Sequence, residues 1–403
     1  MKLLYNVFTV LVIAFLFLNC SKDSSKVELP DNLSLSSLTE FSANEEMQSI
    51  TVTSNLDWTA IDDVNWVMIT PSKGTDNGSI DVSVEANLSD SKRTGKLTVK
   101  GSGLSKIIII TQAGKESNQS SGELDPNKAP SENFDLSTWK LNTPENNGSG
   151  FSKTISVSDI NNSYQNSNYF YTADDGGMVF KCPVKGYKTS AGTSYTRVEL
   201  REMLRGTDTS ISTQGVNKNN WVFGTAPETD KTAAAGFDGE MNATLAVNHV
   251  TTTGDSSHIG RVIIGQIHAN DDEPIRIYYR KLKDNALGSI YFAHEPTDGN
   301  GSEQWHEMIG SRSNSASNPS DGIALDEKFS YTIKVVGDIL TVTILREDKD
   351  DIVNTINMVN SGFNVSGQYM YFKAGVYHVN NSGDDNDYAQ VTFYALEKSH
   401  TLN

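Results

Sequence analysis

Along most of this chain apolar residues recur at every second position, the period of a β-strand with one buried face. Between residues 35 and 112 five short runs of this kind (50–54, 64–69, 79–84, 95–100 and 107–111) are separated by the turn signals Ser72-Lys73-Gly74, Asn77-Gly78 and Thr94-Gly95. Strands at that spacing predict a small antiparallel sandwich. A second series starts near Trp139 and includes 241–247, 261–268, 274–280, 329–335, 339–345, 371–380 and 388–395. Strands and helices do not alternate and no long period repeats, so neither a parallel sheet nor a solenoid is indicated. The expected fold class is therefore all-β. An immunoglobulin-like sandwich over 35–113 precedes a jelly roll over 134–403, with two antiparallel sheets and a groove on the concave one. Residues 114–133, rich in Ser, Asn, Gly, Lys and Glu with Pro126 and Pro130, read as a linker.

The N-terminus departs from this pattern. Lys2 precedes an apolar run, 11–18, that is too short to anchor stably in a bilayer. The run ends at Asn19-Cys20, and the polar Ser21 to Ser25 follow. This resembles a bacterial lipoprotein signal over residues 1–20, although Phe17 replaces the usual Leu and Asn19 the usual small residue. The resemblance implies acylation at Cys20, a tether over 21–34, and membrane attachment through the lipid alone, at the outer membrane or cell surface. An ordinary secretory signal, giving a periplasmic or secreted protein, is the alternative. With Cys20 acylated Cys182 has no partner, and within Met178-Val-Phe-Lys-Cys-Pro183 it reads as a small buried apolar residue. A net charge of -17 disfavours nucleic-acid binding, and any anionic ligand then needs a local cluster of Lys and Arg.

Three strands could supply that cluster. In Tyr371-Phe-Lys-Ala-Gly-Val-Tyr377, the residues Phe372, Ala374 and Val376 point to a core, while Tyr371, Lys373, Gly375 and Tyr377 point the other way. A lysine between two tyrosines suits a cleft for an anion, because an unpaired buried charge is costly. In Tyr195-Thr-Arg-Val-Glu-Leu-Arg-Glu202, Arg197, Glu199 and Arg201 share one face, so two guanidiniums flank a carboxylate. A surface ion-pair ladder would look the same in isolation. In Val262-Ile-Ile-Gly-Gln-Ile-His268, Gln266 and His268 share a face at the end of an apolar strand. Arg276, Tyr278 and Arg280 then share another, adding positive charge beside Lys281 and Lys283.

The order Arg-x-Glu-Leu-Arg, Gln-Ile-His, Tyr-Phe-Lys-Ala-Gly-x-Tyr is similar to that of the alginate lyases of polysaccharide lyase family 7, over the region from Phe134 to the last strand. The resemblance implies a jelly roll that cleaves a polyuronate by β-elimination without a required metal or other cofactor. It assigns Arg197, Gln266, His268 and Tyr377 as the catalytic set, and Glu199, Arg201 and Lys373 as supporting or substrate-binding positions. Arg276, Tyr278, Arg280 and Tyr371 complete the expected substrate-binding face. Val198, where the family has Ser or Thr, faces away from the cleft, whereas Val379, where Gln often stands, affects contacts at that end of the groove. The Gln-Ile-His form is associated in the family with guluronate-containing blocks. Upstream, Val52 to Asn55, Trp58, Asn65-Trp66, Pro71 to Gly74 and Arg93-Thr-Gly95 resemble a BACON-type domain, with Trp58 and Trp66 expected in its core and a spacer role for the whole.

The chemistry fits these residue types. Removing the proton at C5 of a uronate concentrates charge on the neighbouring carboxylate, so donors such as Arg197 and Gln266 stabilise the transition state, each contributing about 3 kcal/mol. Tyr377 can act as base and acid if the cations Lys373 and Arg197 lower its pKa, and His268 can serve as the base. Asp238 and Glu240 lack a glycosidase frame, and no HExxH, CxxC pair, P-loop or GxSxG motif is present. The acidic loops 271–273 and 384–387 read as solvated turns, with structural calcium the other reading. The expected partner is alginate or a related anionic polysaccharide, bound by a monomer. A glycan-binding lipoprotein without turnover, and a lyase for another polyuronate such as glucuronan, are the competing readings.

Overall fold

The computed structural model describes residues 30–87, 92–114 and 124–402, so Cys20 and the whole 1–20 segment lie outside the described residues. The chain divides into two compact units. In the first, one sheet runs Leu33–Leu35, Glu46–Ser54, Gly78–Val84, Val67–Thr70, and the other Lys73–Thr75, Asp57–Asp62, Arg93–Gly101, Leu104–Gln112. Alternation places Ile50, Val52, Trp58, Ala60, Ile80, Val82, Leu97 and Val99 in the buried layer between them. The Trp58 indole lies so close to Gly74 and Gly78 that a Cβ at Gly74 would overlap it, and its Nε1 donates to the Asp76 carbonyl at 3.0 Å. Trp58 is thus core, as expected, whereas Trp66 is only half-buried.

In the second unit the described chain resumes inside the expected linker. Leu124 packs against the hydrophobic core, and Pro130–Asn133 forms a helical turn whose Asn133 amide donates to the carbonyls of Asp125 and Gly176. Residues 124–133 are thus held against this unit, because a polar segment can be fixed by hydrogen bonds that leave no hydrophobic pattern.

The groove sheet is built from β1 (Trp139–Asn146), β2 (Arg197–Glu202), β3 (Arg261–His268), β4 (Ile275–Arg280), β5 (Leu287–His294), β6 (Gln304–Ile309) and β7 (Tyr371–His378). Across the sheet the order is Ser152–Ile155, β1, β2, β7, β3, β4, β5, β6, and these pairs are antiparallel. The second sheet runs Phe170–Thr172, Met178–Pro183, Tyr388–Thr401, Gly236–His249, Lys328–Val336, Ile339–Leu345, Ile352–Asn357. Facing side chains fill the space between the sheets: Val198, Leu200, Val262, Ile264, Phe372, Ala374 and Val376 from one, Phe180, Met241, Leu245, Tyr331, Ile333 and Phe393 from the other. Burying each large apolar side chain contributes roughly 1.5–3 kcal/mol. Cys182 belongs to this layer as a free thiol, which burial pushes up to about 12.

One irregularity decides which residues reach the groove. Pairing of β3 slips between Ile263 and Gly265 against both neighbours, a β-bulge. Ile264 and Ile267 consequently both point into the core, three residues apart, and Gln266 and His268 emerge on the opposite face. Gly265 permits this. A Cβ there would stand 2.5 Å from the Tyr331 hydroxyl, which fills the space and donates to the Ile264 carbonyl at 3.0 Å.

Candidate active site

The strand registers line up a transverse row on the groove face: Lys140 opposite Arg201, Arg201 opposite Lys373, Lys373 opposite Gln266, Gln266 opposite Arg276. Four residues along, Arg197 pairs across from Tyr377, and Glu199 sits between the rows. Arg197, Gln266, His268 and Tyr377 all line one cleft of about 580 Å³, with Tyr195, Asn270, Glu273, Arg276 and Tyr278. It continues, past Arg197 and His268, into a space of about 450 Å³ bounded by Lys140, Asn142, Arg201, Gln214, Tyr371 and Lys373.

Glu199 organises the floor. Only 2% exposed, it accepts from Arg197 Nη1 at 2.9 Å, from Lys373 Nζ and from Gln266 Nε2. Burial works to raise its pKa, but Lys373 and Arg197 outweigh it and hold the carboxyl below its usual range. Glu199 is thus the anchor of three donors and does not present itself to a ligand. Burial, with Arg197 nearby, depresses the Lys373 ammonium to about 8.

The two proton-handling groups are tuned in a way the sequence does not announce. Burial first, then the Lys373 and Arg197 charges, lower His268 to about 3, so its ring is neutral. Nδ1 faces the Ala269 carbonyl at 2.7 Å and must carry the ring proton, leaving the Nε2 lone pair as the acceptor. The ring stacks on Tyr371, 5.1 Å between centroids. Nε2 stands 3.3 Å from Glu273, whose carboxylate also pairs with Arg276 at 3.3 Å. Tyr377 corrects an expectation: burial raises its pKa, with Glu199, Glu273 and Tyr195 adding to the rise against the opposing pull of Arg197. The phenol is therefore held protonated. The Arg197 guanidinium lies 4.0 Å from its ring centre and Tyr195 meets it edge-on at 5.9 Å.

Several expected ligand-facing residues are engaged elsewhere. Arg280 is 2% exposed and donates to the carbonyls of Arg312, Ser256 and Ile259, fastening loops outside the cleft. Its face was read correctly, but a buried guanidinium is satisfied by the carbonyls within reach. Arg201 lines the groove, yet it donates to Glu202 O at 2.7 Å, Thr213 O at 2.5 Å and Asn220 Oδ1 at 3.0 Å while lying 3.9 Å over the Tyr371 ring. Arg276 lines the cleft but is surrounded by Glu273, Glu295 at 2.9 Å and Glu303, so it adds little net positive charge. Tyr278 lines the cleft but is buried, stacking on Tyr291 at 5.1 Å between centroids. Asp238 and Glu240 lie on the second sheet, Asp238 accepting from the amides of Gly224 and Gly337 and Glu240 pairing with Lys334. Asp387 accepts from Thr252 and Thr253, fixing a loop. Sequence reasoning missed Lys140, Tyr195, Asn270 and Glu273. The alternation Trp139-Lys-Leu-Asn142 contained the signal for Lys140, whereas Glu273 sits in a turn with no period to read.

A jelly roll whose concave sheet gathers cations, a neutral imidazole and a protonated phenol, with Glu199 and Glu273 both held by cations, is suited to elimination from a sugar acid and not to hydrolysis by free paired carboxylates. That is the class of the polysaccharide lyases. Within it the chain belongs to the alginate lyase family, whose model matches residues 134–400. An alginate lyase of Klebsiella pneumoniae is 53% identical over 280 residues, covering 68% of this chain and 91% of that protein. The crystal structure of the alginate lyase from Klebsiella pneumoniae matches with a TM-score of 0.67 at 52% identity, covering 68% of this chain and 98% of that one. An exolytic alginate lyase of Zobellia galactanivorans, 23% identical with a TM-score of 0.52 over 69% of this chain and 99% of that one, shares the fold. Residues 56–113 match the BACON model, described as an N-terminal binding domain.

Proposed function

We propose that this protein cleaves the 4-O-glycosidic bond of alginate by β-elimination, acting on guluronate-containing blocks and leaving 4,5-unsaturated oligosaccharides. The observation that carries the reading is the Glu199 clamp, which fixes Arg197, Lys373 and Gln266 beneath a cleft that also holds a neutral imidazole and a protonated phenol. Arg197 and Gln266 meet the uronate carboxylate and take up the charge that develops when C5 loses its proton. His268 Nε2 accepts that proton. The C5–H electron pair forms the C4–C5 double bond, the C4–O4 bond breaks, and the Tyr377 hydroxyl protonates the leaving oxygen. Separate base and acid, standing on β3 and β7 and displaced along the strands, suit removal and departure on opposite faces of the sugar, which supports guluronate as the unit cleaved.

Purified protein incubated with alginate, polyguluronate, polymannuronate and glucuronan should raise ultraviolet absorbance fastest on polyguluronate. Binding without an absorbance rise would make it a glycan-binding protein, and a rise on glucuronan alone would move it to another polyuronate. We further propose that the chain is exported as a monomer and acylated at Cys20. Labelling with a clickable fatty acid should mark the wild type and not Cys20→Ala; an unlabelled wild type would leave an ordinary secretory signal.

A further inference from the structure

Among the cations of the transverse row, Lys140 differs from the rest. Arg201 is tied to Glu202, Thr213 and Asn220, Lys373 to Glu199, and Arg276 to three glutamates. The Lys140 side chain has no hydrogen-bond or ion-pair partner among the described residues. Its flanking residues Trp139 and Leu141 are in the core, so Lys140 faces the groove with Asn142. It stands on the wall shared by the 450 Å³ arm of the groove and a side cavity of about 190 Å³, across which lie Arg205, Thr154, Ser156 and Thr213. Burial, then the charges of Arg201, Arg205 and Lys373, lower its pKa to about 8. The nearby carboxylate on β2, Glu202, points to the other side, where Lys398 and His400 hold it at 3.0 and 2.8 Å. Lys140, Arg201, Arg205 and Lys373 thus converge beside this arm; the glutamate paired with Lys373, Glu199, is already shared with Arg197 and Gln266, while Glu202 and Glu273 act on Arg201 and Lys373 only from a distance.

Such an excess is electrostatically unfavourable in the empty protein and favourable once an anion enters. The opposite arm has the reverse balance, with Glu273, Glu295 and Glu303 around Arg276. Resting on the function proposed above, we infer that Lys140, backed by Arg205, is a carboxylate-holding position that draws the polyuronate across the strands toward β1, beyond the sugar being cleaved. Neighbouring strands lie about 4.8 Å apart, so Lys140 stands roughly 10 Å past Lys373 across the sheet. A short oligomer filling the cleaved position need not reach it, while a longer chain does.

Chain length is therefore the readout. In Lys140→Met the KM for a guluronate hexasaccharide and for polymer should rise about tenfold, the loss of one charge-assisted contact, with kcat unchanged. The KM for a trisaccharide should stay as in wild type, and Lys140→Arg should restore the hexasaccharide value. Lys140→Gln, with far-UV circular dichroism on each variant, separates a folding defect from a lost contact. An equal KM rise at every length would reduce Lys140 to a general attractive charge, and unchanged KM at every length would remove it from the groove; either overturns the inference. A wild type that yields no unsaturated product from any polyuronate would instead overturn the underlying function.

Discussion

At the scale of single residues, the site consists of ordinary side chains whose protonation is set by burial. Tyr377 remains protonated because its surroundings disfavour the phenolate, so removing the hydroxyl should remove the acid and little else. Tyr377→Phe keeps the ring over which Arg197 lies. Its kcat should fall by about 10²–10⁴-fold while oligosaccharide affinity, measured calorimetrically with polyguluronate fragments, stays within a few-fold. Unchanged turnover would remove Tyr377 from the acid role. Glu199→Gln tests the clamp: the shape is kept, but Arg197 and Lys373 lose their buried counter-charge. Stability in a denaturant titration should drop by about 3–5 kcal/mol. Period-two reading made the Tyr371, Lys373 and Tyr377 face legible, and their neighbours Phe372, Ala374 and Val376 are indeed core. The expected site also included Arg280 on the substrate-binding face and Arg201 as a supporting or substrate-binding position. A face can be read from spacing, but the partner a guanidinium finds depends on loops distant in sequence, such as those at 256–259 and 312 for Arg280.

Secondary-structure elements convert that face into geometry. β3 follows the expected span from Arg261 to His268, yet a regular strand holding Ile264 in the core would have turned Gln266 into the core as well. The bulge at Gly265 prevents this, and nothing in a two-residue alternation marks where a register slips. Gly265→Ala should be damaging out of proportion to one methyl group. The new Cβ would crowd the Tyr331 hydroxyl and ring, and either the bulge or the packing of the second sheet must yield. Overpacking of this kind costs about 1–3 kcal/mol. Because Gln266 and His268 lie directly downstream, kcat should fall along with the thermal midpoint. A variant with a lowered midpoint but normal kcat would show that the bulge is structural and does not aim those two side chains. β5 was not among the expected strands, since residues from Gly288 to His294 are buried on both faces and the alternation vanishes.

For the whole molecule the puzzle is a net charge of -17 in a protein that binds a polyanion. The structure resolves it by concentrating Lys140, Arg197, Arg201, Arg205 and Lys373 around one arm of the groove, where burial strengthens their field. Composition could show that a cluster was needed but not where, because its members come from β1, β2, β7 and the loop after β2, far apart in the chain. The clustering has a pH signature. Lys373 and Lys140 are each depressed to about 8, below the ordinary lysine value, by burial and by neighbouring cations. Below that pH both are charged and attract carboxylates; as pH rises through it both become neutral and the attraction weakens. KM for polyguluronate should therefore climb above pH 8 well before free lysine would titrate, while His268, already neutral, contributes nothing to that limb. An arriving carboxylate favours the ammonium form, so binding at pH near 8 should take up protons. Calorimetry in two buffers of different ionisation enthalpy would measure this as a positive proton stoichiometry. In Lys373→Arg, whose guanidinium stays charged throughout, the climb in KM should be shallower and the proton uptake smaller. A KM that stays flat to pH 9, with no proton uptake, would mean that the groove attracts its substrate by some other route than these two ammonium groups.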